Sequence, residues 1–355
     1  MKWTAIDIGQ AEVKAAVNGL SNKPEKLTYN NGISYSYMPS ISFVSNDEVF
    51  IGNQVLLLEA MGTDGIVTNL NESHFQGKIL QKFYSSIKQA SVDFYSEKVI
   101  GAALVFDDAS QKRIVEEAIE KIKDGKRICD STIAKTATDI FSDVICICKS
   151  EVISSFNAPH QGLSMVVDFG YSSLKISIVD NGRQISHKQD AESGFSSVDL
   201  SDIVGYDYTS DVSDIEQILF GLYLKEVVRR NLNKNAKDYY PLPIFNDLDK
   251  GKAVIQKRFD IEMSHYLYQC FDSCNDMMRQ GTYSWNNISN IIFCGGGANY
   301  HSLSQTFEDY QKAYGIKNDI AIKTFSKDAE WVGVFSTMRL PLERETSTIS
   351  IDYNN

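Results

Sequence analysis

The chain has 355 residues, 43% of them hydrophobic and 23% charged, an ordinary soluble balance in a length that exceeds one hydrophobic core. A formal charge of −11 argues against a nucleic-acid sleeve, which needs clustered Lys and Arg, but leaves room for phosphates held by backbone dipoles and a metal ion. No stretch reaches the length of a membrane span, MKWTAIDIG lacks a leader's apolar run, and the six cysteines lack metal-ligand spacing, so a cytoplasmic protein with free thiols is expected.

In chain order, residues 3–8 and 13–18 read as a hairpin of strands around a turn at Gly9 to Glu12. MPSISFV (38–44) and EVFIG (48–52) follow as strands. KVIGAALVF (98–106) is a buried strand, with Asp107 or Asp108 capping a helix from Ser110 to Lys123. VICIC (144–148) is strand-like and SEVISSF (150–156) a short helix. From Ser164 the pattern restarts: MVVDFGYSSLKISIV (165–179) is strand, glycine turn, strand. Helices are expected at 213–232 and 260–280, and NIIFCGGG (290–297) is a late strand ending in glycines. The tail from Pro341 is polar. The division expected is a first lobe over 1–163, a second over 164–340 and a tail over 341–355.

The strongest feature is an internal repeat. TAIDIGQAEVKAAV and MVVDFGYSSLKISIV share Asp, one residue, Gly, four residues, Lys; Asp168, Gly170 and Lys175 each follow Asp7, Gly9 and Lys14 by 161 residues. A glycine in a hairpin turn lets backbone N–H groups approach a phosphate, and an aspartate at the strand end is placed to hold a hydrated Mg²⁺. Two such hairpins facing across a cleft would clamp a triphosphate, with Gly295-Gly296-Gly297 as a third close approach at the nucleoside end. Each feature also has a plainer reading: two unrelated hairpins, and a flexible glycine turn.

The order of two Asp-x-Gly hairpins and a strand with a glycine run resembles that of actin, hexokinase and the heat-shock chaperones. Further segments are similar to the nucleotide-binding domain of the DnaK-type chaperones: MPSISFV with VFIGNQV, IVTNLNESHFQGKIL, GAALVFDDASQKRIVEEA, SEVISSF, ESGFSSVDL, KEVVRRN, VIQKRFDIEM, FCGGGANY and KDAEWVGVF. The resemblance spans about residues 4–338. It implies an α/β actin-like ATPase fold, two lobes each with a mixed sheet flanked by helices, on duplicated ribonuclease-H-like cores around a central nucleotide cleft.

It also implies a site for ATP or ADP with Mg²⁺. Asp7 and Asp168 would hold the metal through water, Lys78 would position the attacking water, and Glu151 would support the metal-water cluster. Gly9, Gln10, Lys14, Gly170, Tyr171, Ser172 and Ser173 would form the phosphate turns. Glu226, Arg229, Arg230, Gly295, Gly296 and Gly297 would surround the adenosine, and Gly194 in its turn and Asp328 at the start of the closing helix would complete the nucleotide site. Hydrolysis would rest on positioning and electrostatics. Lys78 on the surface, Glu151 at a helix start and Arg229-Arg230 on a solvated face are the plainer places for these residues.

The sequence departs from the chaperone pattern at Gln10 (threonine in the family), Tyr171 (glycine) and Lys175 (an acid), while Lys14 is similar to actin. The expectation is a slow Mg-dependent ATPase acting as a chaperone-like switch that lacks a peptide-binding half, with a protein partner or client. The alternatives are an actin-like filament-forming ATPase and a nucleotide-binding interaction protein without turnover. A sugar kinase finds no sugar-binding acid motif.

Overall fold

The computed structural model describes residues 3–9, 12–18, 33–39, 41–45, 48–51, 66–69, 99–105, 113, 141–171, 173–190, 193–194, 248–281, 283–317, 319–325 and 329–340. The chain divides into two compact units, one formed by Met1–Phe156 with Trp331–Asn355 and the other by Asn157–Glu330. Among the described residues no helix is long and apolar enough to cross a membrane.

The strands of the first unit are β1 (Trp3–Ile8), β2 (Glu12–Asn18), β3 (Ile33–Pro39), β4 (Ile41–Ser45), β5 (Glu48–Ile51), β6 (Ile66–Asn69), β7 (Val99–Val105) and β8 (Phe141–Cys148). Helix α1 (Lys149–Asn157) follows directly. Five strands pair in the order β3-β2-β1-β7-β8, and β5-β4-β6 form a separate sheet. The segment MPSISFV, expected as one strand, is therefore two strands in two sheets. Its proline, Pro39, has no N–H to donate and stands at the end of β3.

The second unit contains β9 (Leu163–Phe169), β10 (Leu174–Asp180), β11 (Arg183–Asp190), α2 (Leu248–Gln280), β12 (Ile288–Cys294), α3 (Leu303–Tyr314) and β13 (Ala321–Lys323). Its strand order, β11-β10-β9-β12-β13, repeats that of the first unit. In both, a consecutive antiparallel meander is extended by two parallel strands: β1 pairs with β7 and β9 with β12 in parallel. Parallel pairing requires a crossover, so the chain must leave the sheet between these strands.

The burial patterns follow the sequence. β9 (LSMVVDF) is buried from Ser164 onward, as a central strand covered on both faces should be. β11 (RQISHKQD) alternates between exposed and half-buried along an edge. The core of this unit packs Met165, Val167 and Phe169 of β9 against Phe271 of α2, Phe293 of β12 and Phe307 and Tyr310 of α3. Helix α2 is anchored by polar contacts: the Tyr300 hydroxyl donates to Asp260 at 2.9 Å and the Tyr310 hydroxyl to Asp272 at 2.7 Å.

The last described helix, α4 (Val332–Thr337), belongs to the first unit. It was expected with the second lobe; instead Trp331, Val334 and Met338 close over Ala5, Ala16, Ala102 and Leu104, where small side chains on the sheet admit a near helix.

Candidate functional site

The repeat read from the sequence is a repeat of register. In the first unit Asp7 lies directly opposite Lys14 on the antiparallel pair β1/β2. In the second, Asp168 lies directly opposite Lys175 on β9/β10. Residues opposite one another on antiparallel strands project from one face, so each turn carries an acid and a base on the same side.

In the first unit Asp7 and Lys14 are both buried. The ammonium of Lys149 donates to Asp7 Oδ2 at 2.8 Å. Lys149 opens α1, a position where the helix dipole disfavours a cation, and the Asp7 carboxylate offsets that cost. Its aliphatic stem is enclosed: a Cβ on Gly333 would lie 2.9 Å from Lys149 Cε and 3.1 Å from Leu104 Cδ2. Glu151 stands half-buried in the first turn of the same helix. The adjacent Cys148 thiol is pushed up by burial, and contacts Ser150 Oγ at 3.3 Å.

In the second unit the turn is tight. Gly170 N–H donates to Asp168 O at 3.0 Å, and a Cβ on Gly170 would fall 2.7 Å from Ser173 O. Ser173 and Gly194 are buried. Tyr171 packs half-buried against the core of its own unit, and burial raises the pKa of its hydroxyl.

The glycine run follows β12 beside the end of β9, where Cys294 is the register partner of Asp168. Its three members do different work. Gly295 has φ +85°, and a Cβ there would overlap Asp168 Oδ1 and approach Phe169 O at 2.6 Å. Gly297 is confined by Phe169, whose Cβ would be 2.9 Å from an added Cβ. Only Gly296 has nothing within 4 Å of that position. Asn299 ties down the next segment: its Oδ1 accepts from Ala329 N–H at 3.0 Å, and its amide donates to Glu330.

Asp168, Gly170, Tyr171, Ser173 and Gly295 to Gly297 thus lie within the second unit, and Asp7, Gly9, Lys14 and Glu151 within the first. Lys78, Gln10, Ser172, Glu226, Arg229, Arg230 and Asp328 lie outside the described residues, as do the helices expected at 213–232 and most of 110–123. Lys149, Asn299 and Glu330 were not singled out from the sequence. A lysine at the junction of a strand-like run and a short helix was the available signal for Lys149. Among the described residues no group of three or more His, Cys, Asp or Glu is placed to hold a metal ion.

Two crystal structures of MreB 5 of Spiroplasma citri match the chain, each covering 98% of both chains at 12% identity. The one bound to AMPPNP has a TM-score of 0.53 and the one bound to ADP 0.54. The chain has the actin-like ATPase fold. The likeness is one of fold, and it does not single out the DnaK-type domain that the sequence implies. No family model matches the chain, and no curated protein does.

Proposed function

We propose that the chain is an actin-like nucleotide-binding protein that takes ATP or ADP and hydrolyses ATP slowly. The observation that carries this reading is the duplicated register, Asp7 opposite Lys14 and Asp168 opposite Lys175, each beside a glycine turn. The solved structures of like fold were obtained with AMPPNP and with ADP, which supports an adenine nucleotide as the ligand.

In the second unit the turn at Gly170, whose own N–H is taken by Asp168 O, would let the Ser173 backbone approach phosphate oxygens. Gly296, with open space where a side chain would stand, is the member of the glycine run suited to the nucleoside. A hydrated Mg²⁺ takes one or two carboxylates and keeps several waters. Asp168 fits that demand, being a strand-end carboxylate backed by a glycine that leaves it room. When bound, the metal would neutralise charge on the phosphate oxygens. Lys78, Glu151, Arg229 and Arg230 keep the roles that the resemblance implies, as parts of this proposal.

Between the two biological readings, likeness to MreB structures favours the actin-like, filament-forming ATPase over the chaperone-like switch. Light scattering with ATP, ADP or no nucleotide tests it. ATP-dependent growth of scattering that reverses as phosphate is released supports a filament; unchanged scattering with demonstrated nucleotide binding removes it.

A further inference from the structure

In the first half of the repeat the Asp7 carboxylate is met by the Lys149 ammonium at 2.8 Å. The geometry points to Lys149 as a resident cation that occupies Asp7 and closes it to a divalent metal. This rests on the nucleotide reading above and revises the metal pair that the sequence implies.

Three observations carry it. Lys149 has a buried side chain whose ammonium contacts a buried carboxylate, and charges leave water at such a cost that the pair holds together. The lysine stem has little room on the side of Gly333, where even one added methyl would lie 2.9 Å from Cε and 3.1 Å from Cγ. Lys14, directly opposite Asp7, brings a second cationic side chain to the same face. A divalent ion at Asp7 would enter beside that positive charge, where low local dielectric strengthens the repulsion. Lys149 is thus a positioning residue: it orients the Asp7 carboxylate and supplies in place part of the charge that a metal would bring to the first turn.

The test is Mn²⁺ affinity of the full chain, read by electron paramagnetic resonance with saturating ADP, after ADP binding itself has been measured. Lys149→Gln should tighten Mn²⁺ at least threefold by releasing Asp7. Lys149→Arg, which keeps the cation, should stay within about twofold of wild type. Adding Asp7→Asn to Lys149→Gln should abolish the gain. A merely structural lysine would move stability and leave these ratios flat. A folded Lys149→Gln protein with unchanged or weaker Mn²⁺ affinity overturns the inference. Should that variant fail to fold, anomalous diffraction from Mn²⁺ in wild-type crystals decides: metal ligated by Asp7 overturns the inference, and metal bound away from Asp7 supports it. Wild type that binds no ADP refutes the nucleotide reading by itself. The same ordering of variants is then expected with Mn²⁺ alone, so the two failures are separable.

Discussion

Lys149 and Asp7, 142 residues apart in sequence, form a buried ion pair of 2.8 Å that joins the start of α1 to the end of β1. A pair of this kind contributes less than its geometry suggests while intact, since both charges leave water. Breaking it strands one of them. Lys149→Met should therefore destabilise the first unit by about 3–5 kcal/mol, whereas adding Asp7→Asn to Lys149→Met should recover most of the loss. Urea denaturation of the singles and the double checks this, and equal losses in all three would remove the coupling.

The glycine run offers a sharper contrast between neighbours. Gly295→Ala forces a side chain into a backbone region that is almost exclusively glycine's and into the Asp168 carboxylate, at a cost of about 1–3 kcal/mol. Gly296→Ala meets nothing and should change stability by less than about 0.5 kcal/mol. Gly296→Val should instead weaken ADP binding while the fold persists. Thermal unfolding with and without ADP separates the two positions.

Tyr171 stands where the chaperone pattern has a glycine. Its ring packs on the core of the second unit, so its removal has a stability cost to weigh against any gain in space. Tyr171→Phe should leave stability within about 1 kcal/mol, and Tyr171→Gly should cost about 2–4 kcal/mol through lost packing and a freer chain. Single-turnover hydrolysis on the Phe and Gly variants then shows whether the ring also impedes phosphate chemistry.

Alkaline pH gives a further handle. Burial pushes the Cys270 thiol up to about 12 from an ordinary 9.0, and raises the thiol of Cys274 and the hydroxyls of Tyr266, Tyr300 and Tyr310. Below pH 9 folded and unfolded chains both keep the Cys270 proton, so its contribution to stability is complete there. As pH rises from 9 through about 12 the unfolded thiol loses its proton first, and stability falls. Urea midpoints should drop between pH 8 and pH 10.5, and Cys270→Ala/Cys274→Ala should flatten the slope. Midpoints independent of pH over that range would contradict the burial of these groups.

Much of the fold was legible because the repeat is a local pattern. Aspartate, glycine and lysine at fixed offsets between apolar strands specify a hairpin and its register together, and both hairpins formed with Asp opposite Lys. The restart at Ser164 and the strand before the glycines were visible for the same reason. What escaped notice depended on context. Strand β11 is too polar to read as a strand by hydrophobicity, although Asn181-Gly182, with φ of 47° and 76°, is the hairpin turn that precedes it. The packing of α4 on the first unit and the meeting of Lys149 with Asp7 join segments far apart in the chain, which no local pattern records. The glycine run was read as one adenosine turn, yet two of its members answer to Asp168 and Phe169.

The central claim is that this chain binds an adenine nucleotide beside Asp168. Its most direct test is a titration of fluorescent ADP with Mg²⁺ against wild type and Asp168→Asn, followed by anisotropy, with circular dichroism confirming that both are folded. Saturable binding by wild type, weakened at least tenfold in Asp168→Asn and competed by unlabelled ATP, is the predicted result. No saturable binding by folded wild type, or equal affinity in the variant, would contradict it.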